Sequence, residues 1–320
     1  MEDEAAQFLR ALRGRRSQVA WARRLGYCGN PVTHWERGKR FPTINEALRA
    51  AGQALPDVRA PFAAFAPNIP LGSPLDPLAI AAWLDALRAG TSVSALAQRC
   101  GRSRFSVRRW LRGEAEPRLP DFFRLVDALT GRLPEWVAGF VPIESVPGLA
   151  ERHAKAVAAK RIAFEAPWSE AILRLLETKP FLELERHDPA TVARHVGIPE
   201  ADAVRCLALL VESGIVRRAR GKYKVTGAQS VDTQGGRQAL HRLKAHWAEV
   251  AAQRLQAPDP IADLFAYNVM SVSAADLERM REILRSAFRE IRTLVAASEP
   301  AEVVALVNLQ LVRIFPCTSR

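Results

Sequence analysis

A mainly α fold follows from three features of this 320-residue sequence. Apolar residues recur at three- and four-residue spacing through most of the chain. A basic stretch, SQVAWARRLGYCGNPVTHWERGKRFP at residues 17–42, returns in altered form at residues 92–117 as SVSALAQRCGRSRFSVRRWLRGEAEP, which points to internal duplication. Strand-like patterning is confined to a hairpin around residue 220 and two apolar segments near the C-terminus. Together these predict two tandem helix-turn-helix units, a winged helix and a small C-terminal α+β module.

The charge balance narrows the partners. Lys and Arg outnumber Asp and Glu by 46 to 34, for a net charge of +12 and a pI near 10.3, which favours polyanions. The cations cluster: residues 10–40 hold nine Lys or Arg and one acid, Glu36. The four cysteines, Cys28, Cys100, Cys206 and Cys317, form no C-x-x-C pair, so reduced thiols, a cytoplasmic location and no metal or other cofactor are expected. No window approaches the length of a membrane span, and the acidic start MEDEAAQ is not a signal peptide.

The first unit occupies residues 1–55. Phe8, Leu9 and Leu12 share one face of a first helix. Ser17 is a good N-cap for a second helix with Val19 or Ala20, Trp21, Ala22 and Leu25 inward, closed at Gly26. Asn30 and Pro31 open a third helix as cap and first-turn proline, with Val32 and Trp35 facing the core. Gly29, Asn30, Thr33 and His34 are left on its outer N-terminal face, where a recognition helix reaches base edges. Arg15, Arg16, Arg37, Lys39 and Arg40 surround it as candidate phosphate contacts. Gln18, at the start of the second helix, can brace a phosphate and the recognition helix together.

This pattern, S-Q-x-x-W-A-x-x-L-G followed by V-x-x-W-E-x-G-x-x-x-P, resembles the Cro/C1 repressor family over nearly the whole unit. The resemblance implies a bacterial, DNA-binding transcription regulator. It places the family's helix-two glutamine on Gln18, its recognition-helix glutamate on Glu36, and a structural ion pair between Glu36 and Arg10. Gly29 departs from the family by supplying no side chain at a frequent base-contact position.

A constant offset of 75 residues aligns the second unit, residues 78–140: Leu12/Leu87, Arg13/Arg88, Ser17/Ser92, Gly26/Gly101, Val32/Val107, Trp35/Trp110, Arg37/Arg112, Gly38/Gly113 and Pro42/Pro117. Trp110, like Trp35, is a core residue. Arg10, Glu36 and Gln18 become Asp85, Leu111 and Val93, which reads as loss of the ion pair and repacking. Arg102, Arg104, Arg108, Arg109 and Arg112 gather on the second recognition helix and its approach. Arg104 and Arg108 are candidate guanine contacts, with Arg102, Arg109 and Arg112 on phosphates. The alternative is a docking module without readout. Between the units, residues 56–77 carry six prolines and read as a connector without helix.

After a linker helix within residues 141–165, residues 166–228 read as helix, short apolar stretch, two helices and two strands joined through Arg220 and Gly221, the order of a winged helix. Arg217, Arg218, Arg220 and Lys222 make its wing basic, for a DNA contact or for a purely architectural or dimerising role. Residues 229–320 predict an amphipathic helix over 235–256, a break at Pro258-Asp259-Pro260, and a helix over 274–297 flanked by buried strands at 264–272 and 302–315. Asn268 and Gln310 on those strands are pocket or edge residues. This C-terminal half resembles that of a bacterial regulator family of undefined effector, implying homodimerisation, effector sensing or both. No catalytic constellation is present, so a binder of double-stranded DNA is expected rather than an enzyme. A protein-interaction or antitoxin-like scaffold is the rival.

Overall fold

The computed structural model describes residues 1–88, 90–226, 237–256, 263–296 and 298–314. It is mainly helical, with a single two-stranded sheet among the described residues. The chain divides into two compact units, Met1–Ala156 and Val157–Arg320.

The first unit holds α1 (Glu2–Arg13), α2 (Gln18–Arg24), α3 (Val32–Glu36), α4 (Ile44–Ala51), α5 (Arg59–Phe65), α6 (Pro77–Arg88), α7 (Val93–Cys100), α8 (Arg104–Leu111), α9 (Leu119–Thr130) and α10 (Leu133–Ala138). A 3-10 turn, Ile143–Ser145, precedes α11 (Pro147–Glu165), in which the boundary between the units falls. The 75-residue offset carries through these elements. Helices α1 and α6 correspond end to end, and Ser17 and Ser92 cap α2 and α7 by accepting from the N–H of Ala20 and Ala95. Gly38 and Gly113 turn the chain at φ of 69° and 70°, where a Cβ would be strained. The correspondence extends to a fifth helix in each copy, α5 and α10.

Helix α5 corrects the expectation of a connector without helix. Pro61 lies in its first turn, where its missing N–H is not required, and Phe62 and Phe65 are fully buried. The Phe62 ring packs 4.9 Å from Trp83 and 5.6 Å from Trp136. One continuous core runs from Ala5 to Leu149, so the two copies share a core instead of flanking a spacer. Truncating an aromatic in such a site costs about 3–5 kcal/mol. Val19 and Ala20 stay exposed while Trp21 and Ala22 are buried. The copies also meet through backbone: Ile44 N–H donates to the Pro117 carbonyl and Leu119 N–H to that of Pro42, both at 3.0 Å, around an antiparallel bridge between Thr43 and Arg118.

The second unit continues with α12 (Ser169–Glu177), α13 (Lys179–Glu183), α14 (Pro189–Val196), α15 (Glu200–Glu212), β1 (Val216–Ala219) and β2 (Lys222–Val225). The short apolar stretch of the sequence reading is the helix α13. Strands β1 and β2 pair antiparallel with Val216 opposite Val225 and Ala219 opposite Lys222. Arg220 and Gly221 both have positive φ, 51° and 77°, as a two-residue hairpin turn matched to strand twist requires. His187 pins the hairpin: its Nε2 lies 2.9 Å from the Phe181 carbonyl and its Nδ1 accepts from the Tyr223 N–H at 3.0 Å. These partners fit a neutral ring protonated on Nε2, and burial pushes its pKa below the ordinary histidine value.

Further on are α16 (Arg237–Gln256) and α17 (Ala274–Ala296). The Pro258-Asp259-Pro260 break lies outside the described residues. The two flanking strands are a second correction: residues 263–273 and 298–314 adopt no regular secondary structure. β-Branched composition suits a strand only where a neighbour supplies ladder hydrogen bonds. Neither segment joins a ladder, and Leu264 and Tyr267 are 92% and 95% exposed. Asn268 and Gln310 are exposed as well. The described part of residues 229–320 is therefore helical with segments of no regular secondary structure, not α+β. One backbone bond, Lys179 N–H to the Ala301 carbonyl at 2.6 Å, ties the last segment to α13.

Candidate nucleic-acid interface

In the first copy the polar side chains around α3 form one connected brace. Asn30 Nδ2 donates to Thr33 Oγ1 (2.8 Å), Thr33 Oγ1 donates to Gln18 Oε1 (2.9 Å), and Gln18 Nε2 donates to Glu36 Oε2 (2.7 Å). The Glu36 carboxylate is buried, and Arg13 holds both of its oxygens, Nε to Oε1 at 2.5 Å and Nη2 to Oε2 at 3.1 Å. Such a bidentate, charge-assisted pair is strong and orients both partners. The ion pair expected between Arg10 and Glu36 is present, but it is the longer of two pairs on that carboxylate. Arg10 is 3.8 Å from the carboxylate and also donates to the Glu36 backbone carbonyl, while Arg13, one helical turn nearer the start of α2, makes the closer pair. Gln18, read as a phosphate contact as well as a brace, has both ends of its amide bound within the brace.

Asn30 does not cap α3. The cap position is Pro31, without a side-chain bond, and Asn30 turns sideways to Thr33. In the aligned second copy Ser103 stands at the position of Cys28 and accepts from the Ser106 N–H at 3.0 Å. Helix α8 therefore starts three residues earlier in register than α3. His34, Arg15, Arg16, Arg37, Lys39 and Arg40 are exposed, and Gly29 faces open space. Trp35 is buried, with its ring 6.4 Å from that of Trp21.

On α8, Arg104 and Arg108 are exposed and have no ion-pair partner among the described residues. Arg102 is not free for phosphate as expected: it pairs with Asp121 at 2.6 Å, since α9 brings that carboxylate alongside. Arg112 lies 3.6 Å from Glu114 on the surface, a pair of small energetic weight. Arg109 donates to the Glu114 carbonyl and stacks 5.6 Å from the Phe105 ring. Trp110 is only partly buried. In the hairpin, Arg217 and Arg220 are exposed, Arg218 lies 5.5 Å over the Tyr223 ring, and Lys222 donates to the Leu182 carbonyl.

Three residues escaped the sequence reading. Phe105 is 70% exposed amid the α8 arginines, and its place on their polar face was the available signal. Arg118 lines an open cleft of about 390 Å³ beside α3 with Tyr27, Asn30, His34, Arg40 and Glu46. Arg186 comes up against Gly221 of the hairpin. For neither arginine did sequence spacing carry a signal. Among the described residues no group of three or more His, Cys, Asp or Glu has metal-binding geometry, and no helix is long and apolar enough to cross a membrane.

The fold and surface define a mainly helical protein that presents exposed cations around α3, on α8 and on a β-hairpin. The chain belongs to the DUF4423 family, described as a domain of unknown function, which matches residues 153–314. No curated protein and no solved structure matches the chain.

Proposed function

We propose that the chain is a sequence-specific DNA-binding transcription regulator in which α2–α3 and α7–α8 are helix-turn-helix units that present α3 and α8 to the major groove. Residues 166–228 are a winged helix, and the C-terminal half of the chain, with residues 229–320 as its module, dimerises the chain or senses an effector. The observation that carries this reading is the outer face of α8, where Arg104 and Arg108 are exposed with no ion-pair partner among the described residues, together with the exposed cations around α3. Exposed cations flanking short helices neutralise phosphates, and arginine reads guanine edges. The brace from Asn30 to Arg13 holds α3 in one orientation, as base readout demands.

Titration of a labelled duplex library against salt tests the reading. Affinity should fall steeply as salt rises, and Arg37→Ala with Arg40→Ala should weaken all duplexes alike and lower the salt slope by about two. Asn30→Ala should alter sequence preference; an unchanged preference would remove Asn30 from the readout. The exposed Phe105 favours a second reading, an interaction scaffold that takes a protein partner on α8. In that case binding would persist at high salt, because an apolar contact is not screened.

A further inference from the structure

Three contacts between the copies pair an element with its own counterpart. Helix α4 packs on α9, α5 packs on α10, and Thr43 bridges Arg118; each pair is separated by the repeat offset. In the bridge, Ile44 donates to Pro117 and Leu119 donates to Pro42. Exchanging the copies turns each bond into the other. At the second contact, Phe62 of α5 meets Trp136 and Phe140 at 5.6 and 5.9 Å. Pro61 lies so close to Gly139 that a Cβ there would sit 2.9 Å away. Successive units of a head-to-tail repeat meet through two different surfaces, whereas self-pairing is the signature of a two-fold axis. The symmetry stops away from the axis: Glu2 pairs with Arg124 at 2.5 Å, while their counterparts Pro77 and Arg49 cannot form an ion pair.

We infer that Met1–Ala156 is a two-fold pair of headpieces built into one chain, and that one chain engages a DNA site made of two inverted, unlike half-sites, one read by α3 and the other by α8. This rests on the DNA-binding reading above. A two-fold rotation preserves the direction along its axis and reverses directions across it. Whatever component the outer faces of α3 and α8 have along that axis therefore points to one side, with opposed polarity across it, which fits an inverted repeat and not a direct one. The half-sites differ because the readers differ. Where α3 offers Gly29, Thr33 and His34, α8 offers Arg104, Arg108 and Arg109, so its half-site is the guanine-rich one. Whatever the oligomeric state of the full chain, the unlike pair is the repeating unit of the site.

In vitro selection of duplexes by the full chain and by Arg104→Ala with Arg108→Ala tests this. Both arginines are exposed and have no ion-pair partner among the described residues, so the variant should keep the wild-type circular dichroism spectrum. The wild type should select two inverted, dissimilar half-sites. The variant should keep one half, lose base preference in the other, and bind the wild-type site about tenfold or more weakly. Identical half-sites, a direct repeat, a lone half-site, or a variant that degrades both halves equally would overturn the inference and leave DNA binding standing. No enrichment of any duplex would overturn the DNA-binding reading and this inference with it.

Discussion

The two copies keep one scaffold and arrange their charges differently. Arg13 and Arg88 correspond, and each donates to a corresponding carbonyl, that of Arg16 or Thr91. Arg13 then reaches across to buried Glu36 on α3, whereas Arg88 pairs with Asp85 on its own helix at 2.9 Å. The acid has moved from the third helix to the first, and the arginine has stayed. What reads in the sequence as loss of an ion pair is a relocation. Its consequence lies at the surface: the first copy turns its polar side chains inward to fix α3, and the second leaves α8 with unpaired guanidinium groups facing out.

The largest test of that contrast is removal of the shared arginine. Arg13→Ala leaves the buried Glu36 carboxylate with only Gln18 and the more distant Arg10 and should lower stability by up to about 3–5 kcal/mol. Arg88→Ala breaks a pair whose acid is half exposed and should cost below about 1 kcal/mol. Urea denaturation of the two variants measures the difference, and equal losses would refute the relocation. A smaller contrast separates the copies from the second unit. The single histidine of the copies, His34, is exposed, while His187 is buried with a lowered pKa. The unfolded chain binds the extra proton first, so the second unit should lose stability as pH falls below about 6.5. Hydrogen exchange at pH 8 and 5.5 should show protection lost in residues 181–225 and kept in α1–α4. The smallest effect concerns helix starts. Ser103→Ala removes the α8 cap and should cost about 1 kcal/mol, while Cys28→Ala at the matching position should cost almost nothing.

The helices were largely legible because burial of one face imposes a 3.6-residue period, and the repeat was legible because its glycines and tryptophans hold the turns and core. Helix α5 was hidden by its prolines: composition opposed a helix, but the first turn tolerates Pro61. The C-terminal strands failed for the converse reason, since residues 264–272 and 302–314 have strand composition without a ladder partner. At the candidate site the exposed cations followed from residue type, but the addition of Arg13 as the closer partner of Glu36, and the capture of Arg102 by Asp121, depend on which side chains three-dimensional packing brings within reach.

The join between residues 42–44 and 117–119 is made within a single molecule, so dilution does not undo it. Two separate subunits fall apart below their dissociation constant, but segments of one chain remain at an effective concentration of about millimolar order however scarce the protein is. A scarce cellular supply therefore leaves the pairing intact. A substitution in one copy also appears once and not twice, which frees each side to diverge while the other is held.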